Sequence, residues 1–209
     1  MTNYKELVSM FINVLSEDSK ELSIPLGISN RHVHLSQKHV ETLFGKGFEL
    51  NRLKDLSQPG QYACKETVLI AGPKGVVEKV RVLGPTREVT QVEILRSDCF
   101  KLGVRAAVRQ SGDIDNTPGV TIIGSKGTII LEKGVIIAQR HIHMSPQDAR
   151  HFQVSDNQVV QLELKGLRGG SYDNVVVRVN DNFRLECHLD TEEANAMGLT
   201  SKSEVIIRR

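Results

Sequence analysis

Two segments of the chain repeat a pattern suited to metal chemistry: Arg31-His32-Val33-His34-Leu35-Ser36 and Arg140-His141-Ile142-His143-Met144-Ser145. Four of the seven histidines lie inside them. On a β-strand, residues i and i+2 face the same way. His32 and His34 then project side by side, about 6–7 Å apart along the strand, and so do His141 and His143. Such a pair can converge on one divalent ion. One pair alone is a weak signal, because hydrogen bonds can satisfy a strand histidine. Two pairs in the same local context weigh more, since histidine has no packing advantage over Val or Thr on a strand.

Each pair needs further ligands. Candidates come from later strands that also run into a helix cap: Glu93 in Val92-Glu93-Ile94, and His188 in Glu186-Cys187-His188-Leu189. The register leaves an alternative, because Glu186 precedes Asp190 by the same four residues that separate Glu93 from Ser97. Glu186 and His188 share a face, so both can approach the site. Cys187 faces away and reads as a small core residue. Three protein ligands plus an open position is the pattern of catalytic rather than structural zinc, and imidazole-rich sets suit zinc among the divalent metals. His39 and His151 fall within short helices, and His151 reads as surface.

The elements that must hold these residues are mostly strands. β-Branched runs occur at Val68–Ile70, Val76–Leu83, Val120–Ile123, Thr128–Leu131, Val159–Leu164, Val175–Val179 and Val205–Ile207. Turn signals such as Gly72-Pro73-Lys74-Gly75, Gly124-Ser125-Lys126-Gly127 and Gly169-Gly170 separate them. Many short strands at this spacing predict barrels or sandwiches. After residue 20 the helices are short and follow one plan of strand, capping residue, one or two turns and often glycine. Strand 31–35 meets Ser36, strand 89–95 meets Ser97, strand 140–144 meets Ser145 with Pro146 at the first helical position, and strand 184–189 meets Asp190-Thr191. The four units form two pairs with a period of about 109 residues (His32 to His141), a duplication of a domain-sized unit. Ahead of them, Leu7, Met10, Phe11, Val14 and Leu15 form one apolar stripe over residues 3–17. This amphipathic helix can pack on the body or dock into another protein.

Composition narrows the class. In 209 residues, apolar types make up 39% and aromatic types 4%, with no Trp, so the core must be built from Val, Ile and Leu. The net charge of +2 and scattered basic residues argue against a nucleic-acid partner. Three cysteines without a C-x-x-C pair fit a reducing cytoplasm rather than a disulfide framework. No apolar run approaches the roughly 20 residues of a membrane span, and no secretory signal is visible.

Longer motifs carry a resemblance. Ile24-Pro25-Leu26-Gly27-Ile28-Ser29-Asn30 leading into the first His pair, Gln58-Pro59-Gly60-Gln61-Tyr62-Ala63, Leu83-Gly84-Pro85 with Arg87, Gln91-Val92-Glu93-Ile94 and Ala138-Gln139 leading into the second pair with Pro146 are similar to the PduL-type phosphotransacylases. The resemblance extends over residues 22–200. It implies transfer of an acyl group between coenzyme A and inorganic phosphate, with acyl-CoA and acyl phosphate as the other partners. It implies a mainly β fold of two β-barrel domains capped by short helices. Residues 1–20 would be the N-terminal helix and linker, residues 21–30 plus 139–209 one barrel, and residues 31–138 the other, with chain exchanged between the halves. It implies two zinc ions, one on His32, His34 and Glu93 and the other on His141, His143 and His188, which chooses Glu93 and His188 over Glu186. Arg87 matches a phosphate-binding arginine, and Ser29, Lys54, Arg81, Leu83 and Asn195 match coenzyme A contacts. The family's association with bacterial microcompartments for propanediol or ethanolamine breakdown implies residence in a compartment lumen, with the 3–17 helix reaching core or shell proteins. A homo-oligomer is among the assemblies the sequence allows.

The chemistry is coherent with that assignment. Zinc lowers the pKa of a bound thiol, and arginine grips phosphate in a fork that lysine cannot reproduce. No Cys or Ser sits in a nucleophile motif, so direct transfer between acyl phosphate and thiolate is expected. Two rivals stand beside it. A dizinc hydrolase with a leading H-x-H pair needs a (β/α)₈ barrel of about 250 residues, which this mostly β chain does not suit. A non-catalytic zinc scaffold would not need open coordination positions.

Overall fold

The computed structural model describes residues 22–208; the helix expected over residues 3–17 lies outside them. The chain is mainly β, and two sheets carry two separate cores. Strands β1 (Ser23–Ser29), β11 (His141–Met144), β12 (Val159–Leu164), β13 (Gly170–Val179), β14 (Glu186–Asp190) and β15 (Glu204–Arg208) close a barrel in the order β1-β14-β11-β13-β12-β15. The other nine strands form one curled sheet that remains open. These are β2 (His32–Ser36), β3 (Arg52–Asp55), β4 (Tyr62–Ala71), β5 (Val76–Arg87), β6 (Gln91–Glu93), β7 (Val108–Arg109), β8 (Thr121–Ile123), β9 (Thr128–Ile130) and β10 (Val135–Ala138). Its path ends on β7 and β9, of two and three residues, and edges that short offer little to a foreign strand.

The strands form where β-branched residues alternate. Val33 and Leu35 pack into one core with Val82, Val92 and Ile94, and Ile142 and Met144 pack into the other with Val177, Cys187 and Leu189. The histidines between them point to the opposite face. Phe44 and Phe152 are the aromatic residues buried in these cores, as the aliphatic composition requires.

The chain crosses between sheets at each histidine motif. β1 runs in the barrel, and after Asn30 and Arg31 the chain enters β2 in the open sheet. β10 runs in the open sheet, and after Gln139 and Arg140 the chain enters β11 in the barrel. Each motif strand has equivalent neighbours. β2 lies between parallel β5 and antiparallel β6, and β11 between parallel β13 and antiparallel β14.

Helices α1 (Gln37–Phe44), α2 (Arg96–Leu102), α3 (Pro146–His151) and α4 (Thr191–Ala196) follow these strands. Ser36, Ser145 and Asp190 cap α1, α3 and α4 with their side chains. The cap of α2 falls at Leu95 rather than the expected Ser97. Leu95 has no capping side chain, and Asp98 at the third helical position supplies the acceptor for its N–H, at 3.0 Å. The motif arginines reach the same carboxylates. Arg31 Nε donates to Asp98 over 2.7 Å, and Arg140 Nε donates to Glu193 of α4 over 2.5 Å. Each motif is thereby tied to the helix that ends its partner strand.

Candidate active site

Register decides what faces each histidine pair. On β2 and β6, His32 lies opposite Glu93 and His34 opposite Gln91. On β11 and β14, His141 lies opposite His188 and His143 opposite Glu186. Glu93 and His188 are therefore equivalent positions, and Glu186 corresponds to Gln91. Two triads result, His32-His34-Glu93 and His141-His143-His188, each with ligand-type atoms within 4.8 Å of one another. His151 is exposed at the end of α3, and His39 on α1 bonds Thr90 at 2.7 Å.

Both triads face one cavity of about 490 Å³. His32 Nδ1 lies 2.8 Å from the Asn30 carbonyl, and His141 Nδ1 lies 2.8 Å from the Gln139 carbonyl. Each ring thereby donates from Nδ1 and turns the lone pair of Nε2 inward. In the second triad the His141 and His188 rings stack at 4.9 Å, and His143 lies 4.8 Å from His188.

The electrostatics of the triads differ. Burial drives the His32 pKa down, but Glu93, with its nearer carboxylate oxygen 3.3 Å from Nε2, outweighs it, and the net shift is upward. Burial opposes ionisation of Glu93, yet His32 and His34 hold its pKa far below the usual carboxylate range. Burial, then His32 and Arg87, keeps His34 well below its ordinary value. The second triad has no acid among its members. Burial and then His188 lower His141 to about 4, and burial and then His141 and His188 lower His143 to about 2.

The donor set fits bound metal. His143 Nδ1 and His188 Nε2 are buried without a hydrogen-bond partner among the described residues. His188 Nε2 lies 2.9 Å from Glu186 Oε2, but the pair is not aligned as a hydrogen bond. Orphaned buried nitrogens are rare without a partner of another kind, and a metal ion at the second triad would supply one; the first triad offers the same kind of donor set, two imidazoles and a carboxylate. Glu186 itself is held by the Ser57 hydroxyl and, at 3.3 Å, by Gln58 Nε2.

Of the other residues singled out in the sequence, Ser29, Arg81, Leu83 and Arg87 line the cavity. Arg81 also donates from Nη1 to the carbonyls of Cys64 and Lys65, at 2.9 and 2.8 Å. Lys54 on β3 and Asn195 on α4 are exposed and outside the cavity lining. The cavity is also lined by Gln58 of the Gln58-Pro59-Gly60 motif and by residues that no motif marks: Ser57, Ser111, Arg178 and Phe183. Arg178 pairs in register with His143. Phe183 packs on the His143 ring at 4.1 Å.

Known proteins give this arrangement a family. A family model described as phosphate propanoyltransferase matches residues 25–200. The chain belongs to the phosphate propanoyltransferase family. Membership makes it an enzyme of the acyltransferase class. The match runs from β1 through α4 and so includes both triads, Arg87 and the cavity between them. Among its relatives, a phosphate propanoyltransferase of Thermotoga maritima is 56% identical over 189 residues, 90% of each chain. One of Clostridioides difficile is 49% identical over 185 residues, 88% of each chain. One of Listeria monocytogenes is 45% identical over 196 residues, 94% of this chain and 92% of the relative.

Proposed function

We propose that this chain catalyses reversible transfer of a short acyl group, propanoyl or acetyl, between coenzyme A and inorganic phosphate, with two zinc ions held by the triads. The observation that carries the reading is the convergence of two three-ligand clusters and Arg87 on one cavity. Family membership points the same way. His32, His34 and Glu93 would hold one ion, and His141, His143 and His188 the other. When bound, such ions lower the pKa of a coordinated thiol and stabilise charge on carbonyl and phosphoryl oxygens.

The chain's own residues supply the rest. Arg87 is half-buried on the cavity wall, where a guanidinium can form paired charge-assisted bonds to phosphate. Burial lowers its pKa, Glu93 counters that, and Arg178 lowers it further; arginine remains cationic at pH 7 regardless. Arg178 adds a second positive charge to the same wall. Ser29, Arg81 and Leu83 would meet coenzyme A within the cavity, and Lys54 and Asn195 its outer portion.

The cysteines do not favour a covalent acyl-enzyme. All three are buried. Burial, then Glu66, raises the Cys64 thiol to about 11, and burial raises Cys187 further. Direct transfer follows. The coenzyme thiolate attacks the acyl carbonyl, a carbon–sulfur bond forms, the carbon–oxygen bond breaks, and phosphate departs with the electron pair.

Coenzyme A and propanoyl phosphate, mixed with the zinc-loaded protein, should give thioester absorbance only while metal is bound, and a chelator should abolish it. Release of phosphate without thioester would favour a dizinc hydrolase instead.

We place this activity in propanediol or ethanolamine breakdown within a bacterial microcompartment. The apolar stripe of residues 3–17 supports a docking role for that segment. Deleting it should leave acyl transfer intact and move the enzyme out of the compartment; unchanged location would refute the docking role.

A further inference from the structure

A serine hydroxyl has one proton to donate and two lone pairs with which to accept. At Ser111 both accepting positions are taken. Arg87 Nη1 donates to Ser111 Oγ over 3.0 Å, and Gln91 Nε2 donates to it over 2.9 Å. Arginine has only donors to offer, so the direction of the first bond is certain. The second is settled by the surroundings of Gln91. Its Oε1 accepts the Gly112 N–H over 2.8 Å, and its Nε2 also donates to Glu93 Oε1 over 2.7 Å. A flipped amide would set two carboxyl-type oxygens against each other and leave two donors face to face at Gly112. Gly112 holds its N–H there through a backbone φ of +100°, with nothing within 4 Å of where a Cβ would stand; glycine is used for the conformation rather than for space.

One hydrogen remains unassigned, the Ser111 hydroxyl proton. It has no acceptor among the described residues, and Ser111 lines the cavity that holds both triads and Arg87. We propose that Ser111 is an obligate hydrogen-bond donor to a non-bridging phosphoryl oxygen of the substrate, beside Arg87. This rests on the reading above that the cavity takes phosphate and acyl phosphate. Glu93, Gln91, Ser111 and Arg87 then form one connected network, with Gln91 donating to both Glu93 and Ser111, which links a metal-binding carboxylate to the phosphate grip and presents two donors to the same oxyanion.

The test uses the full-length, zinc-loaded enzyme, with inorganic phosphate varied in the acyl-CoA-consuming direction and phosphate binding followed by calorimetry. Ser111→Ala should lower kcat/KM for phosphate and weaken phosphate binding by roughly tenfold, the scale of one hydrogen bond to a charged group, while the KM for the acyl-CoA changes less than twofold. Ser111→Thr keeps a hydroxyl and should recover most of the loss. A double-mutant cycle separates donation from mere support of Arg87. If Ser111 donates to substrate, Ser111→Ala in an Arg87→Ala background still costs threefold or more; if it only positions Arg87, that background shows no further loss and the proposal fails. An active wild-type enzyme with an unaffected Ser111→Ala variant overturns the Ser111 assignment alone. A wild-type chain that binds phosphate through Ser111 but forms no thioester overturns the enzymatic reading and supports the assignment.

Discussion

The two triads occupy equivalent positions on two sheets and differ in one ligand. His32 faces Glu93 and His141 faces His188, in the same register on the same kind of antiparallel pair. The first triad therefore carries a carboxylate, and the second is built of imidazole alone. A dication on the first would keep a net charge near +1, and on the second near +2. The more positive centre suits anionic oxygens and the less positive one a thiolate. A duplicated frame has thus been made chemically asymmetric at a single strand position.

Equalising the triads should have the largest effect. Glu93→His makes both all-imidazole, and His188→Glu makes both two-histidine, one-carboxylate sites. Outer partners of metal ligands already cost about 10–100-fold when altered, so each exchange should lower kcat by at least that much. Metal analysis should still find two ions per chain, and full activity with matched triads would break the comparison. Arg87→Lys comes next. It keeps the charge but not the fork, and should raise the KM for phosphate about tenfold with both metals retained; normal phosphate kinetics would remove Arg87 from that role.

The motif arginines should report on stability rather than chemistry. Arg31→Ala strips a partner from the buried Asp98, and Arg140→Ala strips one from Glu193 together with a contact over the Tyr172 ring at 4.2 Å. Each should cost about 1–3 kcal/mol in denaturant unfolding, with Arg140→Ala the costlier. A loss confined to activity would contradict the structural role.

The smallest effect is a pH response in metal-free protein, where His32 differs in sign from His34, His141 and His143. His141 and His143 are held below their ordinary value, so their contribution to stability is full above about pH 6.5 and fades as pH falls toward 4. His32 is raised by Glu93, so its contribution is full below about pH 6.5 and fades as pH rises. Melting temperature against pH should therefore flatten on the acid side in His141→Asn, and on both the neutral and the acid side in Glu93→Gln, which also removes a carboxylate held below its usual range. Parallel curves for the two variants would show that His32 does not differ in this way.

Much of this site is legible in the sequence because it is local. The H-x-H spacing, the shared Arg and Ser, and the strand-to-cap pattern all lie within six residues, and the β-branched runs mark the strands. The choice between His188 and Glu186 as the counterpart of Glu93 is not local. It depends on how β14 pairs with β11, and equal spacing from the expected caps misaligns the two units because α2 is capped at Leu95, not Ser97. Ser111, Arg178 and Phe183 reach the cavity only through tertiary pairing. Arg178 left one trace, a lone cation closing the Val175-Val176-Val177 run, where a further apolar residue would be ordinary. Ser111-Gly112 reads as any turn.

The crossing of the chain between sheets sets an order on assembly during synthesis. Ser29 in β1 bonds the backbone of Leu189, 160 residues later. β1 therefore leaves the ribosome ahead of β2 to β13 and waits for β14 and β15. The open sheet of β2 to β10 can collapse while the rest is still being made, because its strands are contiguous in the chain. Until β14 and β15 emerge, β1 is an unpaired strand with an apolar face, the kind of segment that invites mispairing. Its neighbours in time, the folded first sheet and whatever holds β1 meanwhile, govern how much of this enzyme reaches its working form.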